Sequence, residues 1–114
     1  MPEQRNILDL PAELTAGQEY LETLHLSGGV RIERIISIGH ATAEGEWYDQ
    51  DWGEWVVLLR GQAILSFDDD TRLALREGEW VYLREHCRHR VEMTSESPPC
   101  IWLAVHIRTP QEGT

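Results

Sequence analysis

Hydrophobic and polar residues alternate along most of this chain with the period-two pattern of β-strands. Glu19 to Leu26 is the first such run, and Ser27-Gly28-Gly29 closes it with residues that accept a positive φ. Val30 to Ile38 follows, with Val30, Ile32, Ile36 and Ile38 alternating against Arg31, Glu33 and Ser37, the mark of a half-buried strand. Gly39 to Glu46 reads as a loop of small and polar residues. Trp55 to Leu59 is then continuously apolar, as a buried strand is, and stops at Gly61. Ala63 to Phe67, Arg72 to Leu75 and Trp80 to Leu83 are short strands separated by Asp68-Asp69-Asp70 and by Arg76-Glu77-Gly78-Glu79. Arg84 to Arg90 is a charged loop, Val91-Glu92-Met93 begins another strand, and Ser95 to Pro99 breaks it. In the last strand Ile101, Leu103, Val105 and Ile107 share one face, while Trp102, Ala104 and His106 share the other. Short strands punctuated by glycines and acidic turns predict an all-β sandwich or barrel. Ahead of them, Met1 to Asn6 is polar and loose, and Ile7 to Glu13 gives an extended piece with at most one helical turn beginning at Pro11. Thr109 to Thr114 has the composition of a frayed tail.

At 114 residues the chain forms one domain, residues 1–114, with 41% hydrophobic and 26% charged residues, ordinary values for a globular protein. The net charge of −10 repels phosphate backbones and anionic lipid, which argues against nucleic-acid and membrane partners. The longest apolar run, Trp55 to Leu59, is far too short to cross a bilayer, and no leader opens the chain, so a cytoplasmic protein is expected. In that compartment Cys87 and Cys100 are expected as free thiols.

The chemistry-bearing stretch is Trp47 to Gly61, where polar and ring side chains lead through Glu54 into the apolar run. A second, weaker echo runs from Gly78 to Val91. Glu54 and Gly61 are separated by six residues, and Gly78 and His89 by ten. This pair of spacings resembles the two motifs of the cupin superfamily, which implies a jelly-roll barrel over about residues 19–108 with a short N-terminal extension. The wording Trp47-Tyr48-Asp49-Gln50, Glu54-Trp55 and His86 to Glu92 is similar to that of short bacterial single-domain cupins. Where metal-binding cupins carry His-x-His, this chain has Tyr48 and Gln50, and where they carry Pro-x-Gly it has Arg84-Glu85-His86. The resemblance places Tyr48, Gln50, Glu54 and His89 in the barrel interior. Glu54 and His89 are then the ordinary metal ligands, for iron, manganese, nickel or zinc, with His40, His86 or His106 as a third. The alternative is a hydrogen-bonded polar cluster of the same side chains.

Trp47 and Trp52 flank the motif in polar surroundings and are expected at a pocket mouth, and His106 is expected inside with the strand face that Trp102 lines. Five tryptophans also suit a homodimer interface, which would cover exposed strand edges. The basic cluster Arg84, His86, Arg88 and Arg90 either captures a small anionic ligand or pairs with surface acids such as Glu85 and Glu92. Cys87 beside His86 and His89 would need an activating base within hydrogen-bond range to act as a nucleophile, which adjacency in sequence does not supply. Two function classes stay open: a cupin binding a small, anionic molecule in its pocket, and a metal-dependent cupin enzyme, an oxygenase or isomerase.

Overall fold

The computed structural model describes residues 2–108, so the tail expected over Thr109 to Thr114 lies outside the described residues. Eight strands are present, all antiparallel in their pairings. β1 (Glu19–Ser27), β2 (Val30–Ser37), β8 (Cys100–Ile107), β3 (Gly53–Arg60) and β6 (Trp80–Leu83) form a five-stranded sheet in that order. β5 (Arg72–Leu75), β4 (Ala63–Phe67) and β7 (His89–Thr94) form a three-stranded sheet against it. This is the all-β jelly roll expected from the strand pattern and the motif spacing. No helix occurs among the described residues, and so none is long and apolar enough to cross a membrane.

Alternation along the strands builds a main core between the sheets. Val56, Leu58, Trp102 and Ala104 of the large sheet meet Ala63, Leu65 and Leu75 of the small one, with Leu83 and Cys100 completing the buried set. Trp102 Nε1 donates to Ser37 Oγ at 3.2 Å, so the one polar atom of that large ring is satisfied within the core.

The outward face of the large sheet carries a second, smaller core of Ile36, Ile38 and Ile101, packed by Leu14 and Leu59. Arg34, also outward, holds the N-terminal segment there by donating from Nη1 to the backbone carbonyls of Ile7 and Asp9, while its Nε donates to Glu22 at 2.9 Å. Those carbonyls belong to a segment with a turn at Ile7-Leu8, where Asp9 N–H donates to Asn6 O at 3.1 Å, and no helical turn forms at Pro11, within the expectation of at most one. Farther along the same face Trp80 (60% exposed), Tyr82 and Ile107 are open to solvent, with the Trp55 and Trp80 rings 6.0 Å apart.

Most strand ends fall within a residue of expectation, and two larger differences concern the site. β3 begins at Gly53, so Glu54 lies within the ladder rather than at a hinge before it. β7 begins at His89, which the sequence placed in a loop. The β4–β7 ladder reaches His89 through its pairing with Phe67, and a bridge on the other side comes from Tyr48, whose N–H donates to His89 O at 2.7 Å and whose carbonyl accepts from His89 N–H at 3.1 Å. Gln50 O accepts from His86 N–H at 2.6 Å, so residues 48–50 run alongside the start of β7 and are fixed by backbone bonds.

Candidate ligand-binding cavity

One end of the space between the sheets is not filled by apolar side chains and leaves a cavity of about 190 Å³. Strand register explains its polarity. Arg31 on β2, His106 on β8 and Glu54 on β3 are direct cross-strand partners, forming one row across the large sheet. Glu54 is in turn opposite Leu83 on β6, an apolar wall. Glu33, two residues along β2 and so on the same face as Arg31, lines the next level, and Ile35 and Trp102 close the bottom. Glu19 and Leu21 of β1 line one side. His89, Val91 and Leu65 come from the small sheet, and Tyr48 and Gln50 from the segment bridged to β7.

His106 and Glu33 are both buried, and His106 Nε2 lies 3.0 Å from Glu33 Oε1. Trp52 Nε1 donates to the other ring nitrogen, Nδ1, at 2.8 Å. An indole N–H can only donate, so Nδ1 is the acceptor and the imidazole proton sits on Nε2, donated to the Glu33 carboxylate. Both ring nitrogens of His106 are thereby engaged. His89 is oriented differently: Nδ1 donates to Cys87 O at 2.8 Å, which leaves the Nε2 lone pair without a partner among the described residues. The Tyr48 ring stacks on His89 with centroids 5.4 Å apart.

Burial pushes the Glu54 carboxyl above its ordinary value, and the nearby Glu33 charge adds to this, while His106, His89 and Arg31 act against it. Burial raises Glu19 as well, reinforced by Glu33 and Glu54 and opposed by His40. The Tyr48 phenol is likewise held up, by burial first and then by the Glu19 and Glu54 charges. Burial thus shifts Glu19, Glu54 and Tyr48 in one direction, upward, beside the Arg31 cation.

Of the residues expected at the site, Tyr48, Gln50, Glu54, His89 and His106 do line one cavity. Trp47 does not line it, since Arg88 lies over its ring at 5.6 Å on the surface. Trp52 does not line it either, but acts on it through His106. His86 is exposed and bonded to Asp49 at 2.9 Å, away from the cavity. His40 contacts Glu19 at 3.8 Å without joining the lining. The basic cluster is also elsewhere: Arg90 donates to Thr42 O, and Arg88 faces Asp68 and Trp47. Of the basic cluster Arg88 pairs with Asp68, while Glu92 pairs with Arg72 outside the cluster. Burial raises the Cys87 thiol, the opposite of what a nucleophile needs.

The donors do not fit a three-ligand metal centre. Among the described residues no group of three His, Cys, Asp or Glu side chains converges to hold an ion. Glu54 and His89 face the cavity, but the expected third imidazole is committed to Trp52 and Glu33 in His106, and His40 and His86 lie outside. Sequence reasoning missed Glu19, Arg31 and Glu33. The signal for Arg31 and Glu33 was present in the charged positions of β2, which alternate with apolar ones, while Glu19 on β1 carried none.

The chain matches the sequence profile of the cupin domain over residues 35–106. A comparison with curated proteins finds no match. Among solved structures, a candidate mannose-6-phosphate isomerase from Ralstonia eutropha JMP134 is similar at 37% identity and a TM-score of 0.84, over 95% of this chain and 100% of that one. A cupin superfamily protein from Desulfitobacterium hafniense has 18% identity and a TM-score of 0.74, with 95% and 94% covered. A cupin domain from Bordetella pertussis has 14% identity and a TM-score of 0.65, with 85% and 100% covered. The last two share the fold.

Proposed function

This chain belongs to the cupin family, and from that premise we propose that it binds a small polar molecule in its barrel cavity without a metal ion. The commitment of both His106 nitrogens, to Trp52 and to Glu33, carries the reading. A ligand-binding imidazole would need one of them free. The groups that remain available are the Glu54 carboxyl, the Nε2 lone pair of His89 and the Gln50 amide, with the Tyr48 hydroxyl shared with Thr42, which together suit hydrogen bonding to a polar guest. At about 190 Å³ the cavity is below the range of drug-sized ligand pockets, so the guest is small.

Elemental analysis of untagged protein tests the reading directly. No stoichiometric iron, manganese, nickel or zinc is expected, and a metal lost in His89→Ala would overturn it.

A second reading is favoured by the Ralstonia relative, a candidate sugar-phosphate isomerase. In it the ionised form of Glu54, made a stronger base by its burial, takes the proton from C2 of an open-chain sugar phosphate and returns it to C1, while His89 relays the hydroxyl proton from O2 to O1. Conversion of mannose 6-phosphate to the ketose, followed by NMR and lost in Glu54→Gln, would establish that activity. No conversion over hours at high protein concentration would leave binding as the function.

A further inference from the structure

Two arginines, Arg31 and Arg90, have a buried Nε with no hydrogen-bond partner among the described residues, and of the two only Arg31 lines the cavity. No carboxylate among the described residues lies within ion-pair distance of the Arg31 guanidinium, although Glu33 and Glu54 share its cavity. Arg34, one residue on, is by contrast saturated by Glu22, Ile7 and Asp9. A buried donor left without a partner is costly, and an arginine fork is shaped to take two oxygens of one anion.

The opposite side of the cavity has the converse bias. The free Nε2 of His89 accepts, and so does the Glu54 carbonyl oxygen in either protonation state, so a guest that brings donors is held there. Hydroxyl groups do so without adding charge.

We infer that Arg31 is the anion-recognising residue of the cavity, and that the ligand is a small hydroxylated molecule carrying one carboxylate or phosphate group on the Arg31 side. The inference rests on the cavity being the binding site, as proposed above. It keeps an anionic ligand but moves its recognition from Arg84, Arg88 and Arg90, which do not line the cavity, to β2.

Isothermal titration with mannose 6-phosphate, gluconate and uncharged mannose tests it. Wild type should bind one of the two anions at least about tenfold more tightly than mannose, the scale of a charge-assisted hydrogen bond. Which anion wins separates a phosphate from a carboxylate ligand. Arg31→Gln should abolish the preference while leaving mannose affinity unchanged, and Arg31→Lys should keep part of it. Circular dichroism of both variants guards against a loss of fold, and the lysine variant preserves the charge if the glutamine variant unfolds. Anion binding unchanged in Arg31→Gln, equal affinity for mannose and the anions in wild type, or no binding of either anion would each overturn the role of Arg31. Glu54→Gln distinguishes the two levels. If it weakens binding and Arg31→Gln does not, Arg31 alone is wrong; if neither variant changes binding, the ligand does not occupy this cavity.

Discussion

The Trp52 indole donates to Nδ1 of His106 at 2.8 Å, and this single bond settles which nitrogen of the imidazole carries the proton. A residue outside the cavity thereby fixes the chemistry of one inside it. Long-range ¹H–¹⁵N spectra should show His106 as the Nε2–H tautomer at neutral pH. Trp52→Phe should cost about 1 kcal/mol, the worth of one hydrogen bond, and let the His106 signals move toward a tautomer mixture. An Nδ1–H tautomer in the wild type would contradict the arrangement.

Glu54 should make the fold weaker, not stronger, as pH rises. Its carboxyl titrates above the ordinary 4.5 because it is buried, so above 4.5 the folded chain keeps a proton that the unfolded chain has released. Stability therefore falls with pH through that window and stays lower beyond it. Glu19 acts in the same direction. Glu54→Gln should stabilise the protein by about 1 kcal/mol at pH 8, with the gain vanishing below pH 4.5. Denaturant melts across that range read the effect, and a gain that grows on acidification would refute it.

Gly61 and Gly78 both have positive φ, at 95° and 88°, but their surroundings differ. A Cβ on Gly61 would lie 2.7 Å from Ser95 Oγ, 2.9 Å from Cys100 Sγ and 3.0 Å from Cys100 Cα, while one on Gly78 would meet nothing within 4 Å. Gly78→Ala should cost about 1 kcal/mol from backbone strain alone. Gly61→Ala adds overpacking between β3 and β8 and should cost about 3 kcal/mol in urea melts. Equal costs would mean that the contact at Gly61 relaxes freely.

We propose that a second copy of the chain covers the open part of the large sheet's outer face. Trp80, Tyr82 and Ile107 are exposed there beside Trp55, whereas the other end of the face is already covered by the chain's own N-terminal segment. Aromatic rings of this kind are enriched in interfaces. Light scattering at micromolar concentration should give a dimer mass, reduced to a monomer by Trp80→Glu with little loss of fold. A monomeric wild type would sink the proposal.

The strand order of events was legible in the sequence because the turns carry their own signals. Gly61, Gly78 and the acidic run at Asp68 to Asp70 mark where strands end, and the motif spacing brought Tyr48, Gln50, Glu54 and His89 to one cavity. β2 shows the limit. Period two separates its faces but does not say which is the cavity when both are covered, and the apolar Ile36 and Ile38 turned out to face the N-terminal segment. Arg31 and Glu33, read as the wet side, line the interior instead. Trp52 was misplaced for a related reason: its partner lies 54 positions away, and only β3–β8 pairing brings them together. The position of His89 depended on pairing with Phe67 and on a bridge to Tyr48, neither of which a local pattern encodes.

The row Arg31, His106, Glu54 has a further consequence for how such a barrel can change over time. Their backbones are held at inter-strand spacing, about 4.8 Å per step, by ladder bonds that do not depend on side-chain identity. The three positions behave like sockets on a rigid strip. Exchanging one side chain would alter charge or reach at a known place without moving the others, so selectivity can drift from one small molecule to another while the folding problem stays solved.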